Sequence, residues 1–387
     1  MLNYTSLSIS KGAYRESLLY FSVTLFLLSF ILSPSYSIIH GIFYILVIPV
    51  TLSHYDDISL KDIFNKYKWI LLFLIYYSLS SLWSEDYTNK FFFREIKSAL
   101  SVGLGCIFLD LIYKNLSKEK LFNILFCCSI FTSIIIVINL SVFYYNHPIT
   151  IRMAGFFASG QEIKAAWLLG PVVLFLLHCY LQKNFEYNNL SGICALPLIM
   201  FIIMTQSRGP ILALFVTFLL LLFQNKNYKM LFSFVFALAL FLIYFCLIAE
   251  EARGSSYRIL IWTHFIELII QKPFIGYGIL AETEFTQTAI AGQSLFKHSH
   301  NAYLACLFHG GIIGGLLFAK IIYDSVLIFI KNYTDPFIQI IFAILLFALV
   351  CFLTDGTLPI KSPRPVWLNF WLPIALMYLY RNEKLEK

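Results

Sequence analysis

Long runs of apolar residues alternate with short polar segments along almost the whole 387-residue chain. A run of about 20 apolar residues can cross a bilayer as a helix, and a helix closes its backbone hydrogen bonds internally. An outer-membrane barrel would instead show short alternating segments. The pattern therefore predicts about twelve membrane-spanning helices, at residues 18–33, 36–52, 68–83, 98–113, 121–145, 165–182, 191–205, 210–224, 229–249, 302–330, 336–353 and 366–380.

The composition supports the same class, because 59% of the residues are hydrophobic and only 13% are charged. We predict an all-α polytopic membrane protein with a single integral membrane domain over residues 1–387. Lys11 and Arg15 precede the first span and no small-residue cleavage site follows, so we expect this span to be retained. The eight cysteines form no C-x-x-C pair, which favours packing over metal binding or disulfides.

The orientation follows from the lysines and arginines of the short loops, which are slightly more numerous on the side of the N-terminus. With a cytoplasmic N-terminus, residues 250–301 become one long extracytoplasmic loop. Within it, residues 252–270 show helical apolar spacing, which indicates an amphipathic helix at the membrane surface or a connector between spans. The apolar positions of this helix are Ile259, Leu260, Trp262, Phe265, Ile266 and Ile269.

Several cations are predicted on the same extracytoplasmic face. Arg208 stands in "TQSRGP" (205–210) at the boundary of a span. Its planar guanidinium suits phosphate, although a boundary arginine also commonly reaches toward lipid head groups. The other cations on this face are Arg152, Arg253, Arg258, Lys297, His298 and His300. A group of cations without a matching run of carboxylates indicates an anionic ligand. The net charge of +7 suits anionic membrane lipids, and the scattered basic residues do not indicate nucleic-acid binding.

The stretch "KHSHNAYLACLFHGGIIGG" (297–315) carries the most chemistry. His298 and His300 could chelate a metal from an extended segment, but no third ligand follows at a familiar interval, so we expect no metal. An imidazole at the start of a helix suits general-base catalysis near neutral pH, whereas His309 is expected to pack in the core. The glycines at 310, 311, 314 and 315 predict a closely packed helix.

The segment "HNAYLACLFHGGIIG" places His300, Asn301, Gly311 and Gly314 in a spacing that resembles the signature of the bacterial O-antigen ligase family, within the O-antigen ligase/polymerase superfamily. "TQSRGP" and "YRILIW" resemble the two arginine-bearing segments of that family. "RMAGFFASGQEIKAAW" resembles a third segment, with Gln161-Glu162 in place of the usual Pro-Asn. The span layout and the large loop agree with the same family over nearly the whole chain.

This resemblance implies an inverting, metal-independent and cofactor-free glycosyltransferase of the bacterial inner membrane, with its active site facing the periplasm and residues 250–301 as a large periplasmic loop. The donor would be a polysaccharide on undecaprenyl pyrophosphate, and the acceptor a sugar hydroxyl of lipid A–core. Arg208 and Arg258 would bind the pyrophosphate, and His300 would take the proton of the acceptor. Asn301 or the glycine-rich helix (Gly311, Gly314) would hold His300 in place. The further substrate-binding candidates are Arg152, Arg253, Lys297, His298 and Asn301.

Other functions remain open. An O-antigen polymerase or another lipid-linked oligosaccharide transferase would share the donor chemistry and differ in the acceptor. A transporter would need charges at the bilayer centre, whereas Asp110, Lys320 and Asp324 are predicted near helix ends. A metal-held nucleotide-sugar donor is not favoured, because the chain contains no Asp-x-Asp.

Overall fold

The computed structural model describes residues 3–155, 160–182, 185–231, 233, 258–282, 285–286, 295–296 and 298–385. Regular structure in these ranges is almost entirely helical. One pair of two-residue antiparallel strands, β1 (Phe285–Thr286) and β2 (Leu295–Phe296), sets Phe285 opposite Phe296. The helices are α1 (Asn3–Leu32), α2 (Tyr36–Ser53), α3 (Leu60–Ser80), α4 (Asn89–Asn115), α5 (Lys118–Asn146), α6 (Glu162–Leu181), α7 (Asn188–Met204), α8 (Arg208–Gln224), α9 (Arg258–Gln271), α10 (Ala302–Lys331), α11 (Pro336–Thr354) and α12 (Leu372–Leu385).

The predicted all-α polytopic class is confirmed. In the described part of the chain, seven helices are long and apolar enough to cross a membrane: α1 from Tyr14, α2, α4, α5, α6, α10 and α11. The helices α7 and α8 are apolar but shorter. Each predicted span other than 229–249 coincides with a described helix, and 229–249 lies almost wholly outside the described residues.

Short polar side chains fix where several helices begin. The hydroxyl of Ser117 accepts a hydrogen bond from the backbone N–H of Lys120 at 3.2 Å and caps α5. The carboxylate of Asp335 accepts from the N–H of Phe337 at 2.9 Å and caps α11, with Pro336 as its first residue. These residues satisfy N–H groups that have no partner inside the helix.

The chain divides into two compact units. The first comprises Met1–Tyr67, Ser101–Ile211 and Ser362–Lys387. Its packing includes the Trp367 ring against Gly105, where any Cβ would come within 2.5 Å of that ring. Phe43 lies edge-on to Trp367 at 5.2 Å, and both residues belong to π-helical turns, Phe43–Val47 and Trp367–Trp371. The single membrane domain and its periplasmic loop stay predictions.

The second unit comprises Lys68–Leu100 and Leu212–Lys361. Its central feature is a break in α10 at Gly311, whose φ of 58° and ψ of −160° fall in a region that essentially only glycine adopts. The backbone of the segment before residue 276 occupies the break. The N–H of Ile312 donates to the carbonyl oxygen of Pro273 at 2.7 Å, and a Cβ on Gly311 would overlap the carbonyl group of Phe274.

Helix α9 confirms a helix in the segment where amphipathic spacing predicted one. Ile261 and Phe265 are buried against Phe308 of α10, and Trp262 and Ile269 pack around them. The six apolar positions predicted to share one face are instead divided, because Ile259, Leu260 and Ile266 are exposed while the other three pack inside the unit. The pattern missed this division because α9 is apolar on two sides.

We expect the break in α10 to depend on glycine. Gly311→Ala should destabilise the protein by at least about 1–3 kcal/mol, because alanine is strained at this φ and its Cβ meets the Phe274 carbonyl group. Gly103→Ala is the matched control, since a Cβ there meets nothing within 4 Å and alanine favours a helix. Thermal unfolding in detergent should show a lowered midpoint for the first variant only. Equal midpoints would contradict the requirement for glycine.

Candidate active site

A histidine–aspartate pair stands at the entrance to α10 in the second unit. His300 Nδ1 lies 3.1 Å from Asp355 Oδ1, and both side chains are partly exposed, at 31% and 23%. A carboxylate can only accept, so Nδ1 carries the hydrogen and donates it to Asp355. In the neutral imidazole, Nε2 then holds the lone pair that can accept a proton.

Asp355 directly follows α11. Burial of this carboxyl group alone would raise its pKa. The hydrogen bond from His300, the backbone N–H of Gly356 and the positive charges of His300 and Arg258 outweigh burial, and the pKa of Asp355 is lowered. Asp355 is therefore a carboxylate at neutral pH, as the orienting partner of a general base must be.

The backbone holds His300 in a strained conformation. Its φ is +48°, which is uncommon for a residue other than glycine and persists only when neighbouring contacts enforce it. Those contacts come from both sides: the indole Nε1 of Trp262 donates to the carbonyl oxygen of Ser299 at 3.2 Å, and the Ser299 hydroxyl donates to the carbonyl oxygen of Asn301 at 2.7 Å. Helix α9 and the start of α10 thus position the imidazole together.

Asn301 makes contacts that fit one of the two roles expected of it, which is to hold the segment of His300 in place. Its side-chain oxygen accepts from the N–H groups of Tyr303 and Leu304, at 2.9 and 3.1 Å, and caps α10. Its amide nitrogen donates to the carbonyl oxygen of Leu353 at 3.2 Å, which ties α10 to the end of α11 near Asp355. Since the side chain is buried and bound to backbone, we assign Asn301 a structural role and not a substrate contact.

Four further predicted residues lie in the same unit. Arg258 begins α9, one turn before Trp262, and acts on Asp355 through its charge. His298 is exposed, and its ring centroid lies 4.2 Å from that of His300. Gly311 and Gly314 follow in α10, where Gly314 admits the Tyr77 ring. Arg253 and Lys297 lie outside the described residues.

The remaining predicted residues, Arg152 and Arg208, belong to the first unit. Arg208 is exposed at the start of α8. Arg152 Nε donates to the carbonyl oxygen of Thr205 at 3.0 Å, and the N–H of Met153 donates to the carbonyl oxygen of Met204 at 2.9 Å. The Arg152 segment is thus bound to the turn that leads into Arg208, so one of its donors serves to position that turn.

Comparison with known proteins gives concordant findings. Residues 193–319, which include Arg208, Arg258, His300, Gly311 and Gly314, match the model of a family described as O-antigen ligase. An O-antigen ligase of Pseudomonas aeruginosa is 28% identical over 237 residues, which are 61% of this chain and 58% of that protein. The resemblance to the O-antigen ligase family is confirmed.

A second protein that is similar to this chain carries a different description. A ComP-specific O-oligosaccharyltransferase of Acinetobacter baylyi is 28% identical over 211 residues, which are 47% of this chain and 37% of that protein. This chain thus covers less than two thirds of the length of either relative.

Asp355 is the site residue that the sequence analysis missed. It lies outside the segment that matches the O-antigen ligase family and belongs to no motif. One signal was available. Asp355 comes two residues after the eleventh predicted span, which ends on the same side of the membrane as the start of the tenth span, where His300 lies. Its contact with His300 could not be read from spacing, because 55 residues separate them.

If Asp355 acts through His300, Asp355→Asn should lower glycosyl transfer by about 10²-fold or more, since an amide can present its N–H to the imidazole and favour the wrong tautomer. Adding this change to His300→Ala should cost nothing further. Asp335→Asn is the matched control, because asparagine also caps a helix, here α11. Transfer rates of the single and double variants test this, and additive losses would contradict the coupling.

Proposed function

We propose that this protein is an O-antigen ligase, which transfers a polysaccharide from undecaprenyl pyrophosphate to a sugar hydroxyl of lipid A–core at the periplasmic face of the bacterial inner membrane. The observation that carries the proposal is the His300–Asp355 pair, in which the charge of Arg258 contributes to lowering the pKa of Asp355. His300 and Arg258 both lie in the segment that matches the O-antigen ligase family.

His300 acts as the general base. Nε2 takes the proton of the acceptor hydroxyl while the hydroxyl oxygen attacks the anomeric carbon of the donor sugar. The bond between that carbon and the pyrophosphate oxygen breaks, and the undecaprenyl pyrophosphate leaves with the electron pair. Asp355 stabilises the imidazolium that forms. A single displacement of this kind inverts the anomeric configuration.

The arginines offset the charge of the pyrophosphate. Arg258 brings a permanent positive charge to the unit that holds His300. The resemblance gives Arg208 the same kind of role, and its exposed side chain leads a helix whose N-terminus favours anions. With guanidinium groups stabilising the leaving group, the reaction needs no metal ion.

A protein O-oligosaccharyltransferase is the second candidate, favoured by the name of the Acinetobacter relative. It would use the same donor and the same base, but a hydroxyl of a protein as acceptor. An O-antigen polymerase would use a second lipid-linked glycan. The three functions therefore differ in the acceptor and not in the roles of His300 and Asp355.

Removing the base separates these functions. In cells carrying His300→Ala, transfer should fall by about 10²–10⁴-fold. A ligase defect leaves bare lipid A–core, with long polysaccharide accumulating on the lipid carrier. Gel separation of the lipopolysaccharide and a blot for carrier-linked polymer measure both.

The other outcomes are equally distinct. A core that carries a single repeat unit would identify a polymerase, and an unchanged ladder together with an unglycosylated protein would identify an oligosaccharyltransferase. His147→Ala is the matched control, because this exposed histidine belongs to the first unit and stacks on Phe143 with ring centroids 4.5 Å apart. It should leave the ladder intact.

The geometry of the guanidinium group should matter as well as its charge. Arg208→Lys keeps the charge and loses the planar fork, so transfer by the purified protein should fall well below wild type. Arg15→Lys, at an exposed arginine that donates a hydrogen bond to the carbonyl oxygen of Ser53, is the control and should have little effect.

Transfer should also persist in EDTA. Loss of activity in EDTA and recovery with a divalent metal would contradict the metal-independent mechanism.

A further inference from the structure

Residues 258–282 lie outside the predicted spans, yet their central turn packs against interior positions of α3 and α10. We propose that these residues form a re-entrant hairpin, which enters the bilayer and returns to the same side. Phe274 stands at its tip, in contact with the hydrocarbon chains of the lipids. All of the contacts that carry this inference lie within the second unit.

The first arm, α9, runs alongside the first third of α10 in the same direction. Near its start, Trp262 bonds to the carbonyl oxygen of Ser299, just before α10 begins. Further along, Phe265 packs on Phe308 with ring centroids 5.1 Å apart. At its end, the carbonyl oxygen of Pro273 accepts from the N–H of Ile312. The arm therefore advances from the N-terminus of α10 to the break at Gly311.

The second arm returns along α3. At the tip, the Tyr76 hydroxyl donates to the carbonyl oxygen of Gly310 at 2.7 Å, beside Ile275. The N–H of Ile279 then donates to Ser80 Oγ at 3.0 Å, and the N–H of Leu280 to Ser84 Oγ at 3.2 Å. Successive residues of this arm therefore contact successively later residues of α3 and of the turn that follows it. The arm thus rises toward the C-terminal end of α3.

The depth of the tip follows from α3. Lys320 Nζ of α10 lies 5.4 Å from the centroid of the Trp69 ring, and lysine with tryptophan is typical of a membrane–water interface. Tyr76 comes seven residues after Trp69, which is about 10 Å along a helix. The hydrocarbon core is about 30 Å thick. The exposed large side chains of α3 beyond Trp69 are apolar: Leu72, Ile75 and Leu79.

The outer surface of the hairpin is apolar where it should meet lipid. Phe274 is 71% exposed and Ile270 is 69% exposed. Contact of this apolar surface with water would cost free energy. They continue into Ile312 and Leu316, exposed apolar residues of α10 beyond its break. Exposed apolar surface that is continuous with a membrane-spanning helix fits hydrocarbon chains.

The charged side chain of Lys272, two residues before Phe274, points away from the tip. Lys272 Nζ lies 3.1 Å from a carboxylate oxygen of Glu85 and 4.3 Å from the centroid of the Tyr277 ring. Glu85 follows the C-terminal end of α3, so the lysine reaches from the hairpin toward the interface. Long cationic side chains near the membrane commonly adopt this arrangement.

The irregular backbone of the tip is satisfied by protein, as a membrane interior requires. The N–H groups of Gly276, Tyr277 and Gly278 donate to the carbonyl oxygens of Lys272, Phe308 and His309, at 3.2, 2.9 and 2.9 Å. His309 Nδ1 in turn lies 2.9 Å from the carbonyl oxygen of Gly278. Backbone carbonyl oxygens before the break in α10 thus accept hydrogen bonds from the tip, and backbone N–H groups after the break donate to it.

Spin labels on single cysteines test the hairpin in proteoliposomes, in a background without the eight native cysteines. Phe274→Cys carries the label at the tip. Leu316→Cys is the lipid-facing control, and Lys90→Cys, at an exposed position of α4, is the aqueous control. Power saturation compares collisions with oxygen, which partitions into lipid, and with a water-soluble nickel complex.

The label at residue 274 should collide more with oxygen than with nickel, as the label at 316 does and the label at 90 does not. A tip label that matches residue 90, or that is shielded from both reagents, would overturn the proposal. Ile270→Cys lies on the same exposed face and repeats the test if the first variant fails to fold. The readout does not depend on activity, so it is independent of the function proposed above.

Discussion

The break in α10 at Gly311 is the constraint on which the second unit depends. No side chain fits there, because the carbonyl group of Phe274 occupies the space of a Cβ and φ is positive. The glycine lets backbone meet backbone, so that Pro273–Gly278 can bond to both sides of the break. This contact fixes α9 against the first part of α10, and with it the Trp262 indole against the carbonyl oxygen of Ser299, just before His300.

The backbone conformation of His300 costs free energy, which neighbouring contacts offset. A positive φ at a non-glycine residue costs about 1–3 kcal/mol, and the cap at Asn301, the Ser299 turn and the Trp262 indole offset it. The Asn301 side chain also bonds to the end of α11, and Asp355 there accepts a hydrogen bond from the imidazole N–H of His300. The polar pair is therefore positioned by contacts that also pack the unit, and in the neutral imidazole the lone pair lies on Nε2.

The hydrophobic pattern predicted the helices well, because lipid imposes a strong requirement for length and apolarity. The spacing of His300, Gly311 and Gly314 placed the candidate site within one segment. It could not reveal that Gly311 interrupts the helix, since the apolar run continues through it and the reason lies in a segment 37 residues earlier, at Phe274. The place of Asp355 beside His300 and the bond from Asn301 to Leu353 depend on tertiary contacts with the end of α11, which a linear pattern does not contain.

The central claim is that Asp355 fixes the tautomer of His300 for base catalysis. Nitrogen-15 NMR of histidine-labelled protein at a pH where the imidazole is neutral tests it most directly, with the His300 signals identified by their absence in His300→Gln. The account predicts a protonated Nδ1, a lone pair at Nε2, and loss of the strongly deshielded Nδ1 proton signal in Asp355→Ala. A neutral His300 protonated at Nε2, or a spectrum unchanged by Asp355→Ala, would contradict it.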